Sequence, residues 1–94
     1  MSALAKDLIS TKSLIDRPDK WRKGERPAAP LCAGEAMSEM ITIHSSDEME
    51  ERKLAMILAL GFPNLDELVA YNDAPTTTHI DIMDLFDRAI EASK

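Results

Sequence analysis

Residues 14–37, LIDRPDKWRKGERPAAPLCAGEAM, decide how this chain divides. They hold the only Trp, the only Cys, two of the three glycines and three of the five prolines, so the chain's least replaceable residues are gathered in a quarter of its length. Pro18 stops a helix arriving from the N-terminal side, and Pro30 suits the first turn of one that leaves. Between them, over residues 17–30, prolines, a glycine and alternating charge give no apolar period, which predicts an irregular loop. Such a loop is long for so small a domain and is the first place to look for a site.

On the N-terminal side, Leu4, Leu8 and Ile15, with Ala5, Ile9 and Leu14 beside them, form one helical stripe after Ser2, predicting a first helix over residues 3–16. On the C-terminal side, Cys32, Ala36 and Met40, with Ala33, Met37, Ile41 and His44, give a wide apolar face and a second helix over 31–44. The only ambiguous strand signal lies at residues 40–43. Ser45 and Glu48 fit a capping box, with Asp47, Glu48, Glu50 and Glu51 at the positive end of the next dipole. Leu54, Ile57 and Leu58 carry that third helix over 47–60, until Gly61 and Pro63 stop it. Asn64 and Glu67 repeat the cap signal for a short fourth helix ending at Tyr71.

Residues 71–78, YNDAPTTT, read as an ordered turn in which Asn72 and Asp73 satisfy backbone N–H groups of the turn or of the start of the next helix, with Tyr71 packed inward. Thr77 or Thr78 caps a fifth helix to about Ala92, with Ile82, Met83, Phe86, Ala89 and Ile90 inside and Asp81, Asp84, Asp87, Arg88 and Glu91 outside. The expectation is an all-α, single-domain bundle of about five helices over residues 1–94, with a long basic loop between the first two. Helices one, two, three and five surround the core, the fourth is a bridge, and the Met and Leu stripes belong to that core.

Composition agrees. Ninety-four residues bury roughly 60–65% of the unfolded chain's surface, enough for one modest core. With four aromatics in all, that core must be Leu, Ile, Met and Ala, which favours helix over sheet. A single Cys forms no internal disulfide, and neither an 18-residue apolar run nor a charged-then-apolar leader occurs, so the chain reads as cytoplasmic, with no membrane partner.

The net charge of −6 is unevenly spread. Arg17, Lys20, Arg22, Lys23 and Arg26 give residues 17–26 a charge of +3 and leave −9 elsewhere. An acidic chain has no extended nucleic-acid surface, yet a basic loop around Trp21 can hold a small anion or an acidic protein patch. The plainer alternative is a solvated loop whose charges balance an acidic body. Trp21 itself reads as a plug on the core before a stacking platform, since its ring buries an area that an aromatic-poor domain can hardly forgo.

Cys32, in the first turn of a helix and beside a basic loop, has surroundings that lower a thiol pKa. A thiol enzyme also needs a base. His44, twelve residues along the same helix, is about 18 Å away, so only His79 with Asn72 or Asp73 remains to complete a set. The alternative places Cys32 as a small apolar residue where the second helix meets the fifth. One Cys and two His at separations of 12 and 35 match no metal-ligand spacing, and glycine-rich phosphate loops and Ser-centred elbows are missing, so no metal or cofactor is expected.

The residues named so far carry a resemblance. Leu14-Ile15 with Pro18, Trp21 and Gly24, then Cys32-Ala33 with Ala36-Met37, and later Leu68 with Tyr71-Asn72-Asp73-Ala74-Pro75 before a terminal amphipathic helix, resemble the DUF6197 family of small bacterial and phage proteins. The likeness covers most of the chain in the same order, with Glu35 where that family usually has Gly and Tyr71 where it usually has Trp. It implies a helical fold and a phage or mobile-element setting, and it brings no activity with it.

The functional expectation is a non-enzymatic binding or inhibitory module that engages a host or phage protein, or a small anionic ligand, through Arg17, Lys20, Trp21, Arg22, Lys23 and Arg26. The alternatives are a small thiol enzyme using Cys32 and a structural subunit of a larger assembly. The oligomeric state is not legible.

Overall fold

At the described helix starts of this chain, side chains take up the free amides. A computed structural model describes residues 2–22, 32–44 and 49–94, apart from the side chains of residues 41–44 and 49. Ser2 caps α1 (Ala3–Ser13) by accepting from the Ala5 amide. A 3-10 turn follows at Pro18–Lys20, then α2 (Ala33–His44) and α3 (Met49–Ala59). Asn64 caps α4 (Leu65–Asp73) by accepting from the Glu67 amide at 2.9 Å. Thr78 and Asp81 form a reciprocal capping box at α5 (His79–Ser93). The described residues are thus all-α, with five helices and no strand, and residues 40–43 have helical backbone.

Helix ends are equally local. α1 closes at Ser13, three residues before the expected end, because Leu14 N–H and Ile15 N–H bond back to Thr11 and Lys12 carbonyls and tighten the last turn. Ile15 still enters the core. Gly61, at φ +98°, ends α3: its N–H bonds to the Leu58 carbonyl while Phe62 N–H reaches the Ile57 carbonyl, satisfying two carbonyls that a helix end leaves open. The expected long loop over residues 17–30 is described only to Arg22, and the Ser45 and Glu48 capping box and the Pro30 helix start lie outside the described residues.

α1 packs most extensively on α5, and the two run antiparallel: the Ser2 hydroxyl meets the Ser93 carbonyl, Lys12 pairs with Asp87 at 2.6 Å, and His79 meets the Ile15 carbonyl. α2 lies against α1, α3 and α4. All five helices share one core: Leu8 and Ile15, Met37 and Met40, Met56 and Leu60, Leu68, then Ile82, Phe86 and Ile90. α4 therefore contributes Leu68 to the centre and is more than a bridge. The α5 faces agree with the expected division, since Ile82, Phe86, Ala89 and Ile90 are inside while Asp84, Asp87, Arg88 and Glu91 are exposed.

α3 is turned differently from expectation. Met56, Ile57 and Leu60 face the core, whereas Leu54 and Leu58 stay 48% and 55% exposed. Arg52 helps fix this rotation: its guanidinium grips Asp7 of α1 through two hydrogen bonds, 3.0 Å from Nε and 2.7 Å from Nη2. Thr11 Oγ1 of α1 also reaches Met56 Sδ at 3.3 Å.

Candidate functional site

Asn72, in the last turn of α4, is fully buried, and its amide holds three parts of the chain together. Its Oδ1 accepts from the Trp21 indole Nε1 at 2.7 Å and from the Ala33 backbone N–H at 3.1 Å. Its Nδ2 donates to the Arg22 carbonyl at 3.1 Å and to Asp73 Oδ1 at 3.0 Å. Two donors and two acceptor positions are all an amide side chain has, so Asn72 is saturated. This corrects the expected role of Asn72 and Asp73: they lie within α4, not in a turn after it, and Asn72 serves the start of α2 and the segment after α1, not the start of α5. The turn itself begins at Ala74, whose N–H bonds to the Tyr71 carbonyl. Tyr71 does pack toward the core, its ring 5.5 Å from that of Phe62.

Beside Asn72, α2 starts on a capping box built around sulfur. Cys32 Sγ accepts from the Glu35 N–H at 3.4 Å, and Glu35 Oε1 accepts from the Cys32 N–H at 3.1 Å. The same Oε1 accepts from Arg22 Nη2 at 3.0 Å, in a pair whose side chains are only 13% and 21% exposed. Burial pushes the Cys32 thiol pKa up, with the Glu35 carboxylate adding in the same direction, although the Glu35 and Gly34 amides pull it down. The expected activation by a helix N-terminus is thus outweighed by desolvation. Gly34 lets α2 and α4 approach closely, since a Cβ there would stand 3.2 Å from both Leu65 Cδ1 and Val69 Cγ2. The extensive neighbours of α2 are α1, α3 and α4, so the second and fifth helices do not form the broad contact expected of them, while Cys32 is buried as the apolar reading expects.

His79 completes the cluster. Its ring centroid is 5.9 Å from that of Trp21, and its Nε2 lies 2.7 Å from the Ile15 carbonyl, so this nitrogen carries the hydrogen in the bond. Of the residues weighed for a thiol enzyme, Cys32 caps α2, His79 bonds the Ile15 carbonyl, Asn72 binds Trp21 and Ala33, and Asp73 accepts from Asn72. Among the described residues no buried side-chain polar atom lacks a partner, and no group of three or more His, Cys, Asp or Glu side chains is arranged to hold a metal.

Of the six residues expected to form a binding surface, Trp21 and Arg22 are drawn into this cluster. Lys20 stands beside it, bonding the Ser13 carbonyl and Asp16, each at 2.9 Å. A hydrogen bond from its ammonium, helped by the charges of Lys20 and Arg17, holds the exposed Asp16 carboxyl below its usual range. Arg17 is mostly exposed and lies 3.6 Å from Asp19. Lys23 and Arg26 are outside the described residues.

The sequence profile described as "Family of unknown function (DUF6197)" matches residues 1–92 of the 94. The chain belongs to DUF6197. No curated protein and no solved structure matches it. In this DUF6197 chain several of the pieces that carried the resemblance meet at Asn72: Trp21, fifty-one positions away, the Cys32-Ala33 helix start and Asp73. Sequence reasoning missed Glu35 as a cap, though Cys32 and Glu35 have the spacing of a capping box with Cys in place of Ser or Thr. It also missed the exposed pair Leu54 and Leu58, whose spacing alone does not distinguish a core face from a solvent face.

Proposed function

We propose that this DUF6197 protein is a cytoplasmic, non-enzymatic binding or inhibitory module of a phage or mobile element, engaging a protein or a small anionic ligand through its basic segment, residues 17–26. The observation that supports this reading is the anchor of that segment. Asn72 holds the Trp21 indole and the Arg22 carbonyl, and Glu35 holds the Arg22 guanidinium, so the segment passes over the α2 start at a fixed point. Arg17 lies before that point with its side chain 67% exposed, and Lys23 and Arg26 follow it in sequence. A pinned segment loses less freedom on binding than a loose one, which favours affinity. The binding reading also draws support from Cys32, whose thiol is buried, raised in pKa and committed to a helix cap.

The test reverses charges outside the anchor. Arg17→Glu, Lys23→Glu and Arg26→Glu together should abolish capture of the cellular partner or of phosphate-bearing resin, with the circular dichroism melt preserved. Cys32→Ser should leave capture intact. Should Cys32→Ser alone remove the biological effect, and the native thiol react with iodoacetamide faster than a free thiol, the thiol-enzyme alternative replaces this proposal.

A further inference from the structure

The outward face of α3 carries Leu54 and Leu58 one turn apart, both about half exposed, whereas Met56 and Ile57 of the same helix and Leu60 just beyond it are buried. Such a pair on a small acidic chain is apolar surface that the fold leaves to solvent. Beside Leu54 a groove of about 360 Å³ runs between α3 and the start of α4. Leu54, Ile57 and Leu65 supply its apolar lining, while Glu50, Glu51 and Lys53 supply charge. Glu50 and Glu51 are exposed in the first turn of α3, and Asp66 and Glu67, next in sequence to Leu65, are exposed in the first turn of α4. An apolar floor thus lies beside the Glu50 and Glu51 carboxylates, with the exposed Asp66 and Glu67 following Leu65 in the chain and Lys53 the one basic residue lining it among those described.

We infer that this groove is a docking site for a basic amphipathic helix of a partner protein. That surface is lined by none of the described residues of the basic segment and is opposite to it in sign. A helix lays side chains spaced three or four residues apart into such a groove. Apolar residues at that spacing would meet Leu54, Ile57, Leu65 and Leu58, and Lys or Arg residues flanking them would face the carboxylates of the two helix starts. The chemistry selects against other occupants. A second copy joined through the same face would bring these carboxylates against themselves, in a chain already at −6. Anionic metabolites and nucleic acid meet the same repulsion.

The probe is a fluorescein-labelled 18-residue peptide of Leu and Lys, patterned as an amphipathic helix, titrated against the full chain by fluorescence anisotropy. A scrambled peptide of identical composition serves as control. Saturable binding is expected, weakened by salt, with the scrambled peptide at least about tenfold weaker and Leu54→Asp with Leu58→Asp costing about tenfold or more. Glu50→Lys with Glu51→Lys should lower affinity and flatten the salt dependence. In the wild-type protein, amide resonance shifts should map to α3 and the start of α4, a readout that needs no variant to fold. Equal binding of the scrambled peptide, shifts confined to residues 17–22, or a dimer by light scattering that Leu54→Asp and Leu58→Asp dissolve would each overturn the inference.

Discussion

At the scale of single residues, Asn72 shows how one amide can fix a fold's polar interior. Asn72→Ala strands the Trp21 indole N–H and the Ala33 amide and should cost roughly 2–4 kcal/mol, read by chemical denaturation with Trp21 fluorescence, whose emission should also move to the red. Asn72→Asp keeps both acceptors but turns the donating side into an oxygen facing the Arg22 carbonyl and Asp73. It should therefore destabilise at least as much at pH 7 and less under acid conditions that protonate the new carboxyl. Cys32→Ser keeps the cap geometry and should stay within about 1 kcal/mol of wild type, whereas Cys32→Ala loses the cap and should cost about 1 kcal/mol. Because the folded thiol pKa is raised, ionising it opposes folding. The thiol's contribution is full below its unfolded pKa near 9.0 and is lost as pH rises through the folded value. As pH rises above about 9, the wild-type melting temperature should fall more steeply than that of Cys32→Ser.

At the scale of elements, what was legible is what is local. Ser2, Asn64 and Thr78 announce helix starts because the amides they bond lie within three residues, and Gly61 announces a stop because its φ of +98° strains any residue with a Cβ. Gly61→Ala should accordingly cost about 1–2 kcal/mol by equilibrium denaturation, even though a Cβ there meets nothing within 4 Å. What was not legible is what depends on a distant partner. Asn72 and Asp73 have the residue types of a turn, and only the arrival of Trp21 and Ala33 makes them a helix end serving other segments. The apolar pattern of α3 admits two rotations, with Leu54 and Leu58 in or Met56 and Leu60 in. The pairing of Arg52 with Asp7, from a helix forty-five positions away, favours the second. Of the candidate site, the sequence marked Trp21 and Cys32 as special but not the Asn72 and Glu35 side chains that they meet.

At the scale of the whole molecule, the core closes through contacts between segments remote in sequence. Arg52→Ala should remove two charge-assisted hydrogen bonds between α1 and α3 and cost about 1.5–3 kcal/mol, measured as a shift in denaturation midpoint without a change in slope. Lys12→Ala, which removes the more exposed tie to Asp87, should cost less than about 1 kcal/mol.

The antiparallel seating of α1 on α5 also bears on how the protein is made. A ribosome delivers α1 before the other helices, and α5, the helix it packs against most extensively, after them. Throughout elongation Leu8 and Ile15 must wait without their final shelter, exposed to chaperones and to neighbouring nascent chains. Native closure then waits until residues 79–93 clear the exit tunnel. Chains stalled before that point should leave α1 open to a protease that the released protein resists.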